Sequence, residues 1–407
     1  MTRNVGIIYG NKEKWYQNRK DKVASLFEKY YNEKPTHFFS SPGRVEVLGN
    51  HTDHNNGYVM VSAIDLDIFA AVKKRDDNMV IINSEGYHDN TINISSLERL
   101  DSEADSSNGL IRGVLFKLNE LGYKVGGFSA ITDSNIFKGA GLSSSAAFEV
   151  LVGQIMNVLY NDSKIDRVTL AKVGQFAENV YYGKPSGLLD QMGVSLGGFN
   201  FIDFKSTKEP QITNFNFQLK DYRVVLVNTG GSHGNLTSYY ASIKNDMINV
   251  AKYFNKNTLR EVEEKEFVEA IPRIKRKLGG RAILRAMHYF DENKRVLCAY
   301  EALKNGDIDT FLKMVNESGE SSYKLLENCF VQKDSKQGIA LALNVSKKIL
   351  KNGACRVHGG GFKGTIIAYV HVSEQISYID TMKKIFGERN VVKLNLRPIG
   401  ANVIEEE

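Results

Sequence analysis

One stretch constrains this chain more than any other: Lys138-Gly139-Ala140-Gly141-Leu142-Ser143-Ser144-Ser145-Ala146-Ala147. It lies between a strand pattern, GGFSAITD at 126–133, and a helical pattern in which Ala147, Leu151, Ile155 and Leu159 recur on one face. A loop that feeds a helix presents the unpaired N–H groups of the first turn and the positive end of the helix dipole. Small residues let an anion come close to that backbone, so the arrangement suits a phosphate. Serine hydroxyls add donors and a magnesium ligand. No Gly-Lys-Ser/Thr follows at Walker spacing. Taken alone, the stretch also reads as a capped helix after a flexible turn.

The rest of the chain suits a folded protein of two domains. It has 407 residues, 42% of them hydrophobic and 25% charged. Its formal net charge of +6 comes from 53 basic and 47 acidic residues, with no dense Lys/Arg block interleaved with aromatics, so no nucleic-acid partner is expected. Cys298, Cys329 and Cys355 match no metal or redox spacing and read as small buried hydrophobes in a reducing compartment. No apolar run approaches the ~20 residues that span a bilayer, so neither a membrane partner nor a compartment other than the cytoplasm is expected.

Residues 20–31 carry a helical pattern and 58–73 read as strands. A strand at 222–229, helical patterns over 237–352 and an apolar strand at 365–370 make up the second half. The fold class is therefore α+β, with mixed sheets and helices. The division falls near residue 210, where KSTKEPQIT carries turn chemistry.

Four segments carry a resemblance. Ser41-Pro42-Gly43-Arg44-Val45-Glu46-Val47-Leu48-Gly49-Asn50-His51-Thr52-Asp53-His54 resembles PGRVNLIGEHTDY, the N-terminal motif of galactokinases. Gly139 to Ala147 resembles their GxGLSSSAA, Gly187-Leu188-Leu189-Asp190-Gln191 is similar to GIMDQ, and Gly359-Gly360-Gly361-Phe362-Lys363-Gly364 is similar to GGGFGG. The order and separations agree, and weaker similarity at Arg285, His288, Glu292 and Asn293 extends the match over nearly the whole chain. The chain thus resembles the galactokinase branch of the GHMP kinases, named for galactokinase, homoserine kinase, mevalonate kinase and phosphomevalonate kinase.

The resemblance implies a two-domain GHMP-kinase fold with the active site in the cleft. A sugar- and ATP-binding domain would occupy 1–210 and a C-terminal kinase domain 211–407. It also implies ATP and Mg²⁺, and transfer of phosphate to the anomeric C1 hydroxyl of galactose. Asp190 would be the catalytic carboxylate and Arg44 the arginine that orients it. Lys138, Gly139, Ala140, Gly141, Leu142, Ser143, Ser144, Ser145 and Ala146 would bind ATP, and Ser144 with Glu178 would hold the metal. Asn50, His51, Asp53, Gly187 and Tyr240 would meet the sugar, although Tyr239 is one residue away. Apart from the resemblance, His51 and His54 are an alternative metal pair, but no third ligand sits at a recognised spacing. Gly359, Gly360, Gly361, Phe362, Lys363 and Gly364 would close the third loop over sugar and phosphates.

The chain departs from the family pattern at Asn50, where a glutamate bonds the sugar's 6-hydroxyl, at His54, at Lys363, and at Phe137, which stands where a proline is customary. An asparagine would not repel a C6 carboxylate and a lysine would attract one, so galacturonate or another C6-modified galactose is the competing substrate. A non-catalytic galactose sensor of the same fold is the competing class. Ser145-Ala146, Asp190 and Arg44 speak for the kinase.

Overall fold

The structure is a computed structural model and describes residues 5–10, 12–84, 89–137, 141–215, 219–230, 236–332 and 334–404. Among these, eight strands form one mixed sheet: β1 (His37–Leu48), β2 (Tyr58–Lys74), β3 (Met79–Ser84), β4 (Asn90–Asn93), β5 (Phe128–Ser134), β6 (Phe199–Asp203), β7 (Gln211–Phe215) and β12 (Asn402–Ile404). A second, antiparallel sheet runs β11-β8-β10-β9, with β8 at Tyr222–Asn228, β9 at Gly353–His358, β10 at Thr365–His371 and β11 at Val391–Leu394. The expected α+β class with mixed sheets is observed.

Strand β2 shows how the pattern makes the layers. Met60, Ile64, Ile68, Ala70 and Val72 face the main core, while Val59 and Val61, then Phe69 and Ala71, face smaller clusters behind the sheet. That is the two-residue alternation of a strand buried on both sides. Helices Ser107–Glu120, Ser144–Tyr160 and Arg167–Phe176 cover the front, and Tyr16, Val23 and Phe27 of helix Glu13–Tyr31 cover the back.

The main apolar core continues into the second half through Val224, Leu226, Val296, Phe311, Ile367 and Tyr369. The halves therefore share one core. Strands β7 and β12, both beyond residue 210, pair with β6 and β1 of the first sheet. Cys329 and Cys355 are buried, as expected, but Cys298 is exposed on helix Gly280–Lys304. No helix of the described residues is long and apolar enough to cross a membrane.

The C-terminal return is anchored by charge. Asp67 is fully buried and accepts from Tyr9 Oη at 2.6 Å, Arg19 Nη1 at 2.5 Å, Arg397 Nη1 at 3.5 Å and the Ser40 hydroxyl. Burial works to raise the Asp67 pKa, but Arg19 and Arg397 overcome it and hold the carboxylate below its ordinary range. Removing one member of such a group strands the other charges in the interior. Asp67→Ala is expected to destabilise the chain by about 3–5 kcal/mol in urea unfolding, chiefly because buried Arg397 loses its carboxylate partner, whereas Arg19 keeps Asp133 at 2.5 Å.

Candidate active site

Strand β1 carries Arg44 and Glu46 two residues apart, hence on one face of the strand. A register shift between Pro42 and Arg44 interrupts pairing with β2 and re-aims the chain there. At Gly43 a Cβ would lie 2.9 Å from the Leu142 carbonyl oxygen, so the glycine–serine loop sits directly on this strand.

Arg44 reaches Asp190 at the head of helix Leu189–Leu196, with Nη2 2.6 Å and Nε 2.8 Å from Oδ1. Its Nη1 donates to the Gly141 carbonyl at 2.5 Å. The Ser143 hydroxyl donates to Asp190 Oδ2. Burial favours a raised pKa at Asp190, yet Arg44, then Ser143 and Lys184, outweigh it and keep the carboxylate ionised below its ordinary range. The structure thus brings together Arg44, Asp190 and the loop residues Gly141 and Ser143. Lys138, Gly139 and Ala140 lie outside the described residues.

The expected pairing of Ser144 with Glu178 is not observed. Ser143 takes a left-handed backbone conformation, φ 57°, and the helix starts at Ser144, whose side chain is exposed. The next residue on the helix, turned by about 100°, faces inward. Ser145 Oγ donates to Glu178 Oε1 at 2.9 Å. Glu178 sits in a widened π-turn, Ala177–Tyr182, and also accepts from Lys184 Nζ at 2.7 Å, Ser186 Oγ at 2.7 Å and Gln191 Nε2 at 3.0 Å. Gln191 donates from the same nitrogen to Glu149 at 3.0 Å. Burial first, and then the Glu178 charge, push Glu149 well above the ordinary carboxylate range. Neither Gln191 nor Lys184 was singled out from the sequence, although Gln191 follows the motif's aspartate directly.

Two hard oxygen donors, Ser145 and Glu178, suit a magnesium ion that brings its remaining ligands as phosphate oxygens and water. No cluster of three or more His, Cys, Asp or Glu side chains able to hold a metal occurs among the described residues. His51 and His54 instead form a hydrogen-bonded chain. Asn55 Nδ2 donates to His54 Nδ1 at 2.9 Å, His54 Nε2 to His51 Nδ1 at 3.4 Å, and His51 Nε2 to the Gly360 carbonyl at 3.0 Å. The carbonyl only accepts, which sets both tautomers. Burial lowers the His51 pKa to about 4, so the ring is neutral at physiological pH.

Asp53 accepts from its neighbour His54 N at 2.9 Å and from Leu189 N at 3.4 Å, placing it beside the Asp190 helix. Burial, and then the Asp190 charge, raise its pKa to about 6. A side chain at position 187 would overlap the Asp53 carboxylate, so Gly187 makes room for a site residue. Both tyrosines pack on Phe362 of the third loop, and Tyr240 also covers its glycines. Its ring occupies the space a Cβ on Gly360 would need, and its Oη donates to the Gly361 carbonyl at 3.2 Å. Phe362, at φ 62°, packs under both tyrosines.

Asn50 was expected at the sugar's C6 end, but its side chain is wholly committed inside the protein. Nδ2 donates to Glu46 Oε1 at 3.0 Å and to the Gly359 carbonyl at 2.7 Å, while Oδ1 accepts from Ser322 at 3.2 Å and Asn328 at 2.9 Å. Both donors and both lone pairs are used. Lys363 pairs with Asp334 at 3.3 Å. His288 donates to the Asn50 carbonyl at 2.9 Å, Glu292 accepts from Gly49 N at 3.0 Å and Asn293 from Tyr58 N at 2.7 Å, so the second half holds the backbone of the first motif. Replacing Asn50 by Asp removes two donors and sets a carboxylate against Glu46. Asn50→Asp should destabilise the chain by about 2–5 kcal/mol in thermal unfolding.

The galactokinase galactose-binding signature matches residues 25–74, and the N-terminal domain of GHMP kinases matches residues 109–198. A galactokinase of Clostridium tetani is 32% identical over 378 residues, covering 91% of this chain and 92% of its own. One of Clostridium acetobutylicum is 30% identical over 375 residues, covering 91% and 93%. The structure of Lactococcus lactis galactokinase complexed with galactose matches with a TM-score of 0.82 at 23% identity, over 95% of this chain and 100% of that one. Methanococcus jannaschii mevalonate kinase matches with a TM-score of 0.62 at 17% identity, over 89% and 98%. These two likenesses show a shared fold. With galactokinases at 30% identity or more over nine-tenths of its length, the chain belongs to the galactokinase family of GHMP kinases.

Proposed function

We propose that this chain is a galactokinase, transferring the γ-phosphoryl group of ATP to the anomeric hydroxyl of galactose to give galactose 1-phosphate and ADP. The observation that carries this reading is the Asp190 carboxylate, clamped by Arg44 and bonded to Ser143 of the phosphate loop. An acceptor hydroxyl bound at Asp190 lies next to the loop where a γ-phosphate rests. Phosphoryl transfer asks for this juxtaposition and for charge neutralisation more than for covalent chemistry.

Each group has a task. Asp190, ionised at neutral pH, accepts the proton of the anomeric hydroxyl. In a loose transition state the hydroxyl keeps its proton until its oxygen has bonded to phosphorus and become acidic, so a weak base suffices. Arg44 keeps the carboxylate in place and places positive charge beside the loop. First-turn N–H groups of helix Ser144–Tyr160 face the phosphates. Glu178 and Ser145 would hold Mg²⁺, which would supply charge to offset that of the phosphates. Asp53 binds ring hydroxyls, and His51, whose two ring nitrogens are taken by His54 and the Gly360 carbonyl, holds the third loop in place over the sugar end. Neutral galactose is favoured over an acidic C6-modified sugar because Asn50 and Lys363, the residues that suggested one, are engaged elsewhere.

The test is incubation with ATP, Mg²⁺ and galactose, with product read by phosphorus NMR. A galactose 1-phosphate signal is expected, and no galactose-dependent ADP would refute the reading. Asp190→Asn should lower turnover by about 10²–10⁴-fold while galactose still binds by calorimetry. Asp53 gives a pH prediction. Sugar hydroxyls donate to its ionised form, and its pKa lies at about 6, so galactose affinity should weaken as pH falls through about 6. Asp53→Asn should flatten that profile.

A further inference from the structure

Glu178, the carboxylate opposite the phosphate loop, already has a cation against it. Lys184 Nζ lies 2.7 Å from Glu178 Oε1, the same oxygen that accepts the Ser145 hydroxyl at 2.9 Å. The other oxygen, Oε2, is taken by Ser186 at 2.7 Å and Gln191 at 3.0 Å. The carboxylate is thus fixed through Oε2, and Oε1 faces Ser145, its partner in the proposed magnesium pair, and Lys184. The Glu178 side chain is 1% exposed, whereas that of Lys184 is 46% exposed. Glu178 is enclosed, whereas Lys184 reaches it along a four-carbon stem that solvent contacts, with its ammonium itself in a desolvated position between the acids.

The charge balance explains why a lysine is there. Three acids, Glu149, Glu178 and Asp190, lie within electrostatic reach of Lys184, as does Tyr240 across the cleft. Arg44 is committed to Asp190 and to the Gly141 carbonyl, which leaves it unable to serve Glu178. A buried carboxylate stays ionised only with a counter-charge in contact. Burial works to raise the Glu178 pKa, and Lys184 overcomes it, holding the group below its ordinary range.

The backbone around Lys184 is anchored. The N–H groups of Gly183 and Lys184 both donate to the Glu178 carbonyl at 3.0 Å, Gly183 is left-handed at φ 92°, and Pro185 follows. The side chain is therefore free to swing while its Cα stays in place. An ammonium is a point charge with rotatable donors on a four-carbon stem, suited to exchange one anion for another.

We propose that Lys184 is a placeholder cation and a nucleotide-binding residue. It neutralises Glu178 before nucleotide enters, yields that carboxylate to the divalent ion that arrives with the nucleotide, and turns its ammonium onto the polyphosphate. No proton moves in the exchange. The proposal rests on the reading of Glu178 and Ser145 as the magnesium pair.

The test uses the full chain and Lys184→Met, which keeps length and removes charge. Mn²⁺ binding without nucleotide is followed by electron paramagnetic resonance, and ADP binding in the presence of Mg²⁺ by calorimetry. Lys184→Met should bind Mn²⁺ about tenfold more tightly than the parent and ADP about tenfold more weakly, each the size of one charge contact. Adding Glu178→Gln should abolish the gain in Mn²⁺ affinity. Lys184→Arg keeps the charge, should bind Mn²⁺ as weakly as the parent, and serves also if Lys184→Met does not fold. Unchanged Mn²⁺ affinity or unchanged ADP affinity in Lys184→Met overturns the proposal, as does a gain in Mn²⁺ affinity in Lys184→Arg or one that survives Glu178→Gln. A parent chain that phosphorylates galactose while Lys184→Met keeps parental Mn²⁺ affinity refutes the placeholder alone, whereas an inactive parent refutes the kinase reading beneath it.

Discussion

Two opposite charges on one face of β1 set the geometry of the site. Arg44 pairs with Asp190 within the first half, and Glu46 pairs with Arg356 of β9, in the second half, at 2.6 Å. Arg356 is fully buried and also donates to the Val47 carbonyl at 3.1 Å. Buried ion pairs give little net stability but tolerate little misplacement, because a displaced partner leaves an unpaired charge in the interior. Strand β1 is thereby held in one position relative to both the phosphate loop and the third glycine loop. The His51–Gly360 and Asn50–Gly359 hydrogen bonds extend the same register into the loop over the sugar end.

A second constraint is the surplus of acid around Glu178. One amide, Gln191, joins Glu149 to Glu178, and it immediately follows Asp190 in the chain. The carboxylate that receives the acceptor's proton and the carboxylate that faces the metal are thus borne by neighbouring hydrogen-bonded groups on one short helix and one π-turn. Glu149 answers the surplus by favouring its neutral form, and Lys184 by supplying charge. Together they leave Asp190 and Glu178 ionised, the state that phosphoryl transfer to a neutral hydroxyl requires.

How far the sequence reaches follows from the range of the interactions involved. The phosphate loop, Arg44 and Asp190 are legible because their chemistry is written in short runs of glycine, serine and charge. The strands at 128–134 and 365–371 and the helix after the loop follow from apolar periodicity. The engagement of Asn50 is not legible because three of its four partners, Ser322, Asn328 and Gly359, are more than 270 residues away, and no local pattern announces that an asparagine's hydrogen bonds are already spent. Ser145 rather than Ser144 faces Glu178 because a single left-handed residue, Ser143, sets where the helix begins. A boundary near residue 210 falls between β6 and its neighbour β7, where the turn chemistry joins two paired strands, and it leaves out β12, whose pairing with β1 between distant segments leaves no trace in local composition. Gly187, which the resemblance assigns to the sugar, opens a space that Asp53 fills.

The central claim is that Asp190 and the loop at Ser143 bracket the reacting oxygen. The measurement that tests it most directly is a crystal structure with galactose and a non-hydrolysable ATP analogue. The account predicts the anomeric oxygen within hydrogen-bond distance of Asp190 and the γ-phosphate between that oxygen and the first turn of helix Ser144–Tyr160. Galactose bound with another hydroxyl at Asp190, or nucleotide bound away from that helix, would contradict it.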